Sequence, residues 1–141
     1  MRFWDSSAIV PLVCAESVSR ACRSWLRADP VMLVWVLAAT EVISALSRKR
    51  REEALDRDLF AAAKQRLAKL ERVWNEVAQI EAVRARARRL LEVHPLRAAD
   101  ALPLAAALVV VEERTDSIQF VTFDNRLAEA AAREGFEVLR P

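Results

Sequence analysis

Along this chain, short, largely apolar runs alternate with longer stretches whose apolar positions recur every three to four residues. The first kind predicts strands covered on both faces, the second amphipathic helices. "RFW" opens as a strand, and "AIVPLVCAES" follows as a short helix in which Pro11 belongs to the first turn, where its missing N–H costs nothing. Ser17 is a favoured N-cap for "VSRACRSWLRA", and Asp29 with Pro30 ends that helix. "VMLVWV" predicts a strand. Helical periodicity then runs from about Ala38 to Arg51, from about Glu53 to Arg72, and from Glu76 to Glu92. A further helix opens after Pro95 and carries "LRAADALPLAAALVVVEE". "IQFVTF" predicts a strand, "NRLAEAAARE" a helix ended by Gly135, and "FEVLR" a last strand.

Apolar strands separated by helices predict an α/β fold, a three-layer sandwich with a small parallel sheet flanked by helices. No linker, repeat or low-complexity tract divides the series, so residues 1–141 are expected to form a single domain. In such sheets ligands bind beyond the carboxyl ends of the strands. Asp5 and Asp124 directly follow predicted strands and would share that edge.

Composition narrows the picture. Apolar residues make up 54% of 141 and charged residues 30%, a globular balance. The longest apolar runs, "PVMLVWVLAA" and "ALPLAAALVVV", fall well short of the roughly 20 residues a membrane span needs. Asp5 interrupts any secretory signal, so a cytoplasmic protein without a membrane partner is expected. Two cysteines, Cys14 and Cys22, and the single histidine, His94, make neither a usual zinc site nor a disulfide framework. Both cysteines are expected reduced and packed, and His94 is expected to be a loop or cap residue. The tryptophans Trp4, Trp25, Trp35 and Trp74, at helix and strand spacing, read as core.

A net charge of +2 makes no case for nucleic acid by itself. The run Arg48 to Arg51 and the cluster Arg84, Arg86, Arg88 and Arg89 read first as solvated helix faces, with contact to a polyanion or an acidic partner as the alternative. The only glycine is Gly135, which excludes a phosphate-cradling loop of the Rossmann or P-loop kind. A phosphoacceptor receiver domain would need a late lysine, and the last one is Lys69.

Four acids stand apart from the charged surroundings of the rest: Asp5 in "RFWD", Glu41 in "VLAATEVISAL", Asp100 in "LRAADALPLAAAL" and Asp124 in "FVTFD". On a helix Asp100 shares the stripe of Leu96, Pro103, Leu104 and Ala107. Glu41 also suits a helix start, and Asp5 and Asp124 suit N-caps. No arginine lies within two residues of Glu41 or Asp100. Two carboxylates about 5 Å apart repel by roughly 3 kcal/mol at an effective dielectric near 20, so several at one place call for a cation. An all-oxygen set without histidine or thiolate suits Mg²⁺ or Mn²⁺, and a phosphate ester is the natural substrate.

"RFWDSSAIVPLV", "AATEVISALSR", "HPLRAADALPLAAAL" and "FVTFDNRLAEAA", in this order and spacing, resemble the PIN-domain ribonucleases, most closely the VapC toxins of bacterial toxin–antitoxin pairs. The resemblance spans nearly the whole chain and places the family's acidic quartet on Asp5, Glu41, Asp100 and Asp124. It implies metal-dependent endonucleolytic cleavage of RNA, with Asp5, Asp100 and Asp124 holding one or two Mg²⁺ or Mn²⁺ ions. Glu41 would orient water or complete the shell. It also implies a homodimer and inhibition by a cognate antitoxin. Ser6 and Thr122 match family hydroxyl positions that orient carboxylates or water, and both also fit ordinary cap and strand-end hydrogen bonding. Arg126 reads as a solvated helix-start residue, with phosphate steering as its alternative. Pro103 departs from the family pattern; past the first turn it should bend the helix and shift Asp100. A PIN-like module that binds RNA or an antitoxin without cutting is the competing expectation.

Overall fold

The computed structural model describes residues 1–140. Its sheet holds β1 (Arg2–Trp4), β2 (Met32–Trp35), β3 (Asn75–Val77), β4 (Gln119–Val121) and β5 (Glu137–Leu139), paired in parallel throughout in the order β3-β2-β1-β4-β5. Between β1 and β2 lie α1 (Ser6–Val13) and α2 (Ser19–Ala28), and between β2 and β3 lie α3 (Ala38–Arg51) and α4 (Arg57–Glu71). The chain then crosses back through α5 (Ile80–Val93) and α6 (Ala98–Val110) to β4, and α7 (Asn125–Arg133) leads to β5.

The strand residues alternate between the two faces, as a pleated strand requires. Phe3, Leu33, Trp35, Val77 and Phe120 pack with α5, α6 and α7, while Trp4, Met32, Val34 and Val121 pack with α1 to α4. This is the expected three-layer sandwich. Because the strand order reverses direction at β1, the preferred right-handed crossovers put the later helices on the opposite face from the earlier ones. A crevice therefore opens beyond the carboxyl ends of β1 and β4. The rings of Phe3 and Phe120 stack across that pair of strands with centroids 5.3 Å apart.

Several local expectations change. Residues 75–77 are an edge strand where the sequence reads as the start of a helix; only Val77 of β3 is buried, so no apolar run marks it. The helix α2 begins at Ser19 with Val18 in the cap position, and the Ser19 hydroxyl, not Ser17, accepts the Glu16 N–H. Pro11 is the sixth residue of α1, beyond the first turn where it was expected. Pro103 is likewise the sixth residue of α6, which runs unbroken from Ala98 to Val110 and keeps Asp100 in its first turn. The carbonyl that Pro103 leaves without its helical partner is that of Ala99, an exposed residue that water can serve.

Gly135 ends α7 as anticipated. With φ of 101° it follows the Glu134 cap, its N–H donates to Ala132 O at 3.1 Å, and the Phe136 N–H donates to Ala131 O at 3.0 Å, the paired bonds of a left-handed helix stop. Both cysteines are free and buried, and Trp4, Trp35 and Trp74 lie in the core. Trp25 is only half-buried, set against Phe123. No single helix among the described residues is long and apolar enough to cross a membrane.

Candidate active site

Each of the four singled-out acids sits at the start of a helix, and the four helix starts meet at the crevice. Asp5 is the N-cap of α1, Glu41 and Asp100 lie in the first turns of α3 and α6, and Asp124 is the N-cap of α7. Helix N-termini present unpaired N–H groups and partial positive charge, so each carboxylate stands at the end of its helix that tolerates it. All four line one cavity of about 380 Å³, together with Ser6, Ser7 and Arg48. Asp124 does not follow its strand directly: β4 stops at Val121, and Thr122 and Phe123 intervene.

The immediate surroundings of Asp5 are the most constrained. Its backbone N–H donates to Val121 O at 3.0 Å, which sets the carboxylate at the boundary of β1 and β4. Oδ2 accepts the Ser7 N–H at 3.1 Å, the Ser7 hydroxyl, and the Thr122 hydroxyl at 3.0 Å. Thr122 Oγ1 in turn accepts the Asp124 N–H at 3.1 Å, and Ser7 Oγ accepts the Phe123 N–H at 2.9 Å. These hydroxyls tie α1 to the strand-end loop that carries Asp124. Of the two hydroxyls predicted from sequence, Thr122 occupies this linking position and Ser6 faces the cavity beside Glu41. Ser7, which the sequence reading passed over, holds Asp5. The signal was present in "DSS", an N-cap aspartate with a hydroxyl two residues on.

Electrostatics push Asp5, Glu41 and Asp100 toward their neutral forms. Burial raises the Asp5 pKa against the lowering effect of its hydrogen bonds. Glu41 is pushed up to about 7, first by desolvation and further by the charges of Asp5 and Asp100, with Ser6 opposing. Asp100 is raised by desolvation and then by Asp124, against the lowering influence of Arg97 and Arg126. None of the four takes part in a salt bridge among the described residues.

A second cavity of about 450 Å³ shares Asp100 and Asp124 and adds Arg97, Asn125 and Arg126. Positive charge thus flanks the acids without pairing with them. Arg97 was not singled out from sequence; Arg48 belongs to the basic run read first as a solvated face, with contact to a polyanion or an acidic partner as the alternative. In that run, Lys49 instead pairs with Glu16 at 2.6 Å and Arg50 lies over the Phe60 ring. His94, expected as a loop or cap residue, is the C-cap of α5.

Among the described residues, no three His, Cys, Asp or Glu side chains already stand in a metal-ligating arrangement. The donor set nevertheless fits a hard divalent cation. It is all oxygen, it gathers carboxylates whose charges oppose one another, and none of them forms a salt bridge among the described residues.

The sequence matches the PIN domain over residues 2–133. The chain belongs to the PIN-domain family. In fold this PIN domain is similar to a toxin–antitoxin complex from Klebsiella pneumoniae, with a TM-score of 0.66 at 16% identity, covering 100% of this chain and 98% of that one. It is similar also to VapC20 of Mycobacterium tuberculosis, a sarcin–ricin loop cleaving toxin, with a TM-score of 0.65, 21% identity and full coverage of both chains. A third similar structure is FitAcB from Neisseria gonorrhoeae, with a TM-score of 0.65 and 17% identity over 100% of this chain and 98% of that one. No curated protein matches the sequence.

Proposed function

We propose that this PIN domain is a metal-dependent endoribonuclease of the VapC toxin type, held in check by a cognate antitoxin. The observation that carries the reading is the meeting of Asp5, Glu41, Asp100 and Asp124 around one cavity, each at a helix start and none with an ionic partner among the described residues. Asp5, Asp100 and Asp124 would hold Mg²⁺ or Mn²⁺, directly or through water. A bound divalent cation supplies positive charge to the phosphodiester transition state and makes a nearby water more acidic.

The chain's own groups do the rest. Thr122 and Ser7 hold the Asp5 carboxylate in one orientation, so it need not reorganise during reaction. Glu41, with proton affinity near neutrality, is suited to take the proton of the attacking water or to orient that water. Arg97 and Arg126 border the neighbouring cavity and draw the RNA phosphates toward Asp100 and Asp124. RNA as substrate puts the site of action in the cytoplasm. The exposed apolar residues Val73, Ile80, Leu91 and Val93, around β3 and along α5, suit a homodimer seam.

The absence of a ready-made ligand group among the described residues favours a second reading, a module that binds RNA or antitoxin without cutting. Incubation of the purified chain with total RNA in Mg²⁺, Mn²⁺ or chelator separates the two. Cleavage that needs metal and disappears in Asp5→Asn, at matched folding, supports the nuclease. RNA binding without cleavage in either metal supports the module.

A further inference from the structure

A third cavity, of about 400 Å³, neighbours the acid cavity and is lined by Ser7, Glu16, Val18, Phe123, Asn125 and Arg140. It shares walls with the site. Ser7 also lines the acid cavity, and Phe123 and Asn125 also line the cavity of Arg97 and Arg126. Phe123 immediately precedes Asp124 and is held firmly: its N–H donates to Ser7 Oγ at 2.9 Å, and its ring lies 6.2 Å from that of Trp25. The space suits about one nucleotide.

We infer that this cavity receives an unpaired guanine of the RNA strand next to the cut phosphodiester, with Phe123 as its stacking surface and Glu16 reading its edge. This rests on the ribonuclease reading above. Single-stranded RNA is recognised chiefly by aromatic stacking of splayed bases and by hydrogen bonds to their Watson–Crick edges. Phe123 is half-buried, so it keeps a rigid backing while leaving ring surface at the cavity wall. Glu16 is the one group in the wall that only accepts hydrogen bonds, and Lys49 fixes it through Oε1 at 2.6 Å. Guanine alone among the four bases offers two adjacent donors, N1–H and the N2 amino group, that a single carboxylate can accept together. Arg140, exposed at the rim, gives the flanking phosphate a cation.

The test measures binding of labelled single-stranded RNA heptamers, with and without one guanine, to the whole chain in Ca²⁺, and in parallel maps cleavage ends in Mg²⁺. The guanine heptamer should bind more tightly. Phe123→Leu, which keeps apolar bulk against Trp25, should weaken binding about tenfold, the scale of one lost base–aromatic stack. Phe123→Tyr should restore it. Glu16→Ala should erase the guanine preference while leaving guanine-free binding unchanged. Equal binding of both heptamers, indifference to Phe123→Leu, or no binding of either would overturn the subsite. The nuclease reading is judged apart from it: metal-dependent cutting with ends unrelated to guanine removes the subsite and keeps the enzyme, whereas guanine-selective binding without cutting keeps the subsite and removes the enzyme.

Discussion

Acids at two places in this protein are treated in opposite ways. Away from the crevice, Glu113 and Glu134 are clamped by Arg86, at 3.0 and 2.9 Å, and Glu134 also takes His94 Nε2 at 2.6 Å. This network joins α5 to the ends of α6 and α7, and every carboxylate in it has a cation or a ring N–H. At the crevice, four carboxylates stand at helix starts, Asp5 and Asp124 among them accepting hydrogen bonds, and none has an ionic partner among the described residues. The first arrangement serves cohesion. The second leaves charge uncompensated at one place, which works against folding and is what a cation-dependent site requires.

Substitutions should separate the two regions most widely in activity. Asp100→Asn or Asp124→Asn should lower metal-dependent RNA cleavage by about a hundredfold or more, the scale of a lost charge-stabilising group, while Glu134→Gln leaves the rate unchanged. Initial-rate measurements at matched folding check this. Stability should respond in the opposite sense. Arg86→Ala removes a bidentate pair and the clamp on Glu134, so it should cost about 1–3 kcal/mol in denaturant unfolding, and Asp5→Asn without metal should cost nothing or stabilise.

The order of effects follows what the sequence made legible. Strands β1, β2 and β4 announce themselves by apolar runs, β5 by "FEVLR" following a helix stop, and Gly135 marks that stop through the left-handed backbone only glycine adopts freely. The quartet was readable because Asp5, Asp100 and Asp124 lie in apolar surroundings; Glu41 was the weakest of the four by its neighbours, yet it acquires one of the clearest perturbations, from Asp5 and Asp100. Those charges arrive from other elements and leave no local trace. Strand β3 was missed because "NEV" has one apolar residue and runs without a break into the helical pattern that follows, whereas "FEVLR" is set off by Gly135. Arg86 looked like a solvated arginine, since its partners lie 27 and 48 residues away.

A smaller effect is expected with pH. Glu41 has a folded pKa of about 7 against an ordinary 4.5, so the folded state holds the proton more tightly than the unfolded state between those values. The metal-free protein should therefore gain stability as pH falls from about 7 toward 4.5, by on the order of 1 kcal/mol for this half-buried group once solvent screening is allowed for. Glu41→Gln should flatten that part of the profile, followed by thermal unfolding in chelator. The smallest change should come from Pro103→Ala: the carbonyl it would re-engage belongs to exposed Ala99, so stability should move by less than about 1 kcal/mol and leave cleavage intact.

The central question is whether the unpaired acids await a divalent cation. Thermal unfolding of the wild-type chain and of Asp5→Asn, each titrated with Mg²⁺ or Mn²⁺, tests this most directly, because an ion that binds only the folded state raises its stability by mass action. The midpoint should climb with metal in the wild type and stay nearly level in Asp5→Asn, with the two curves farthest apart in excess metal. Midpoints that ignore both metals, or that climb equally in the two chains, would contradict it.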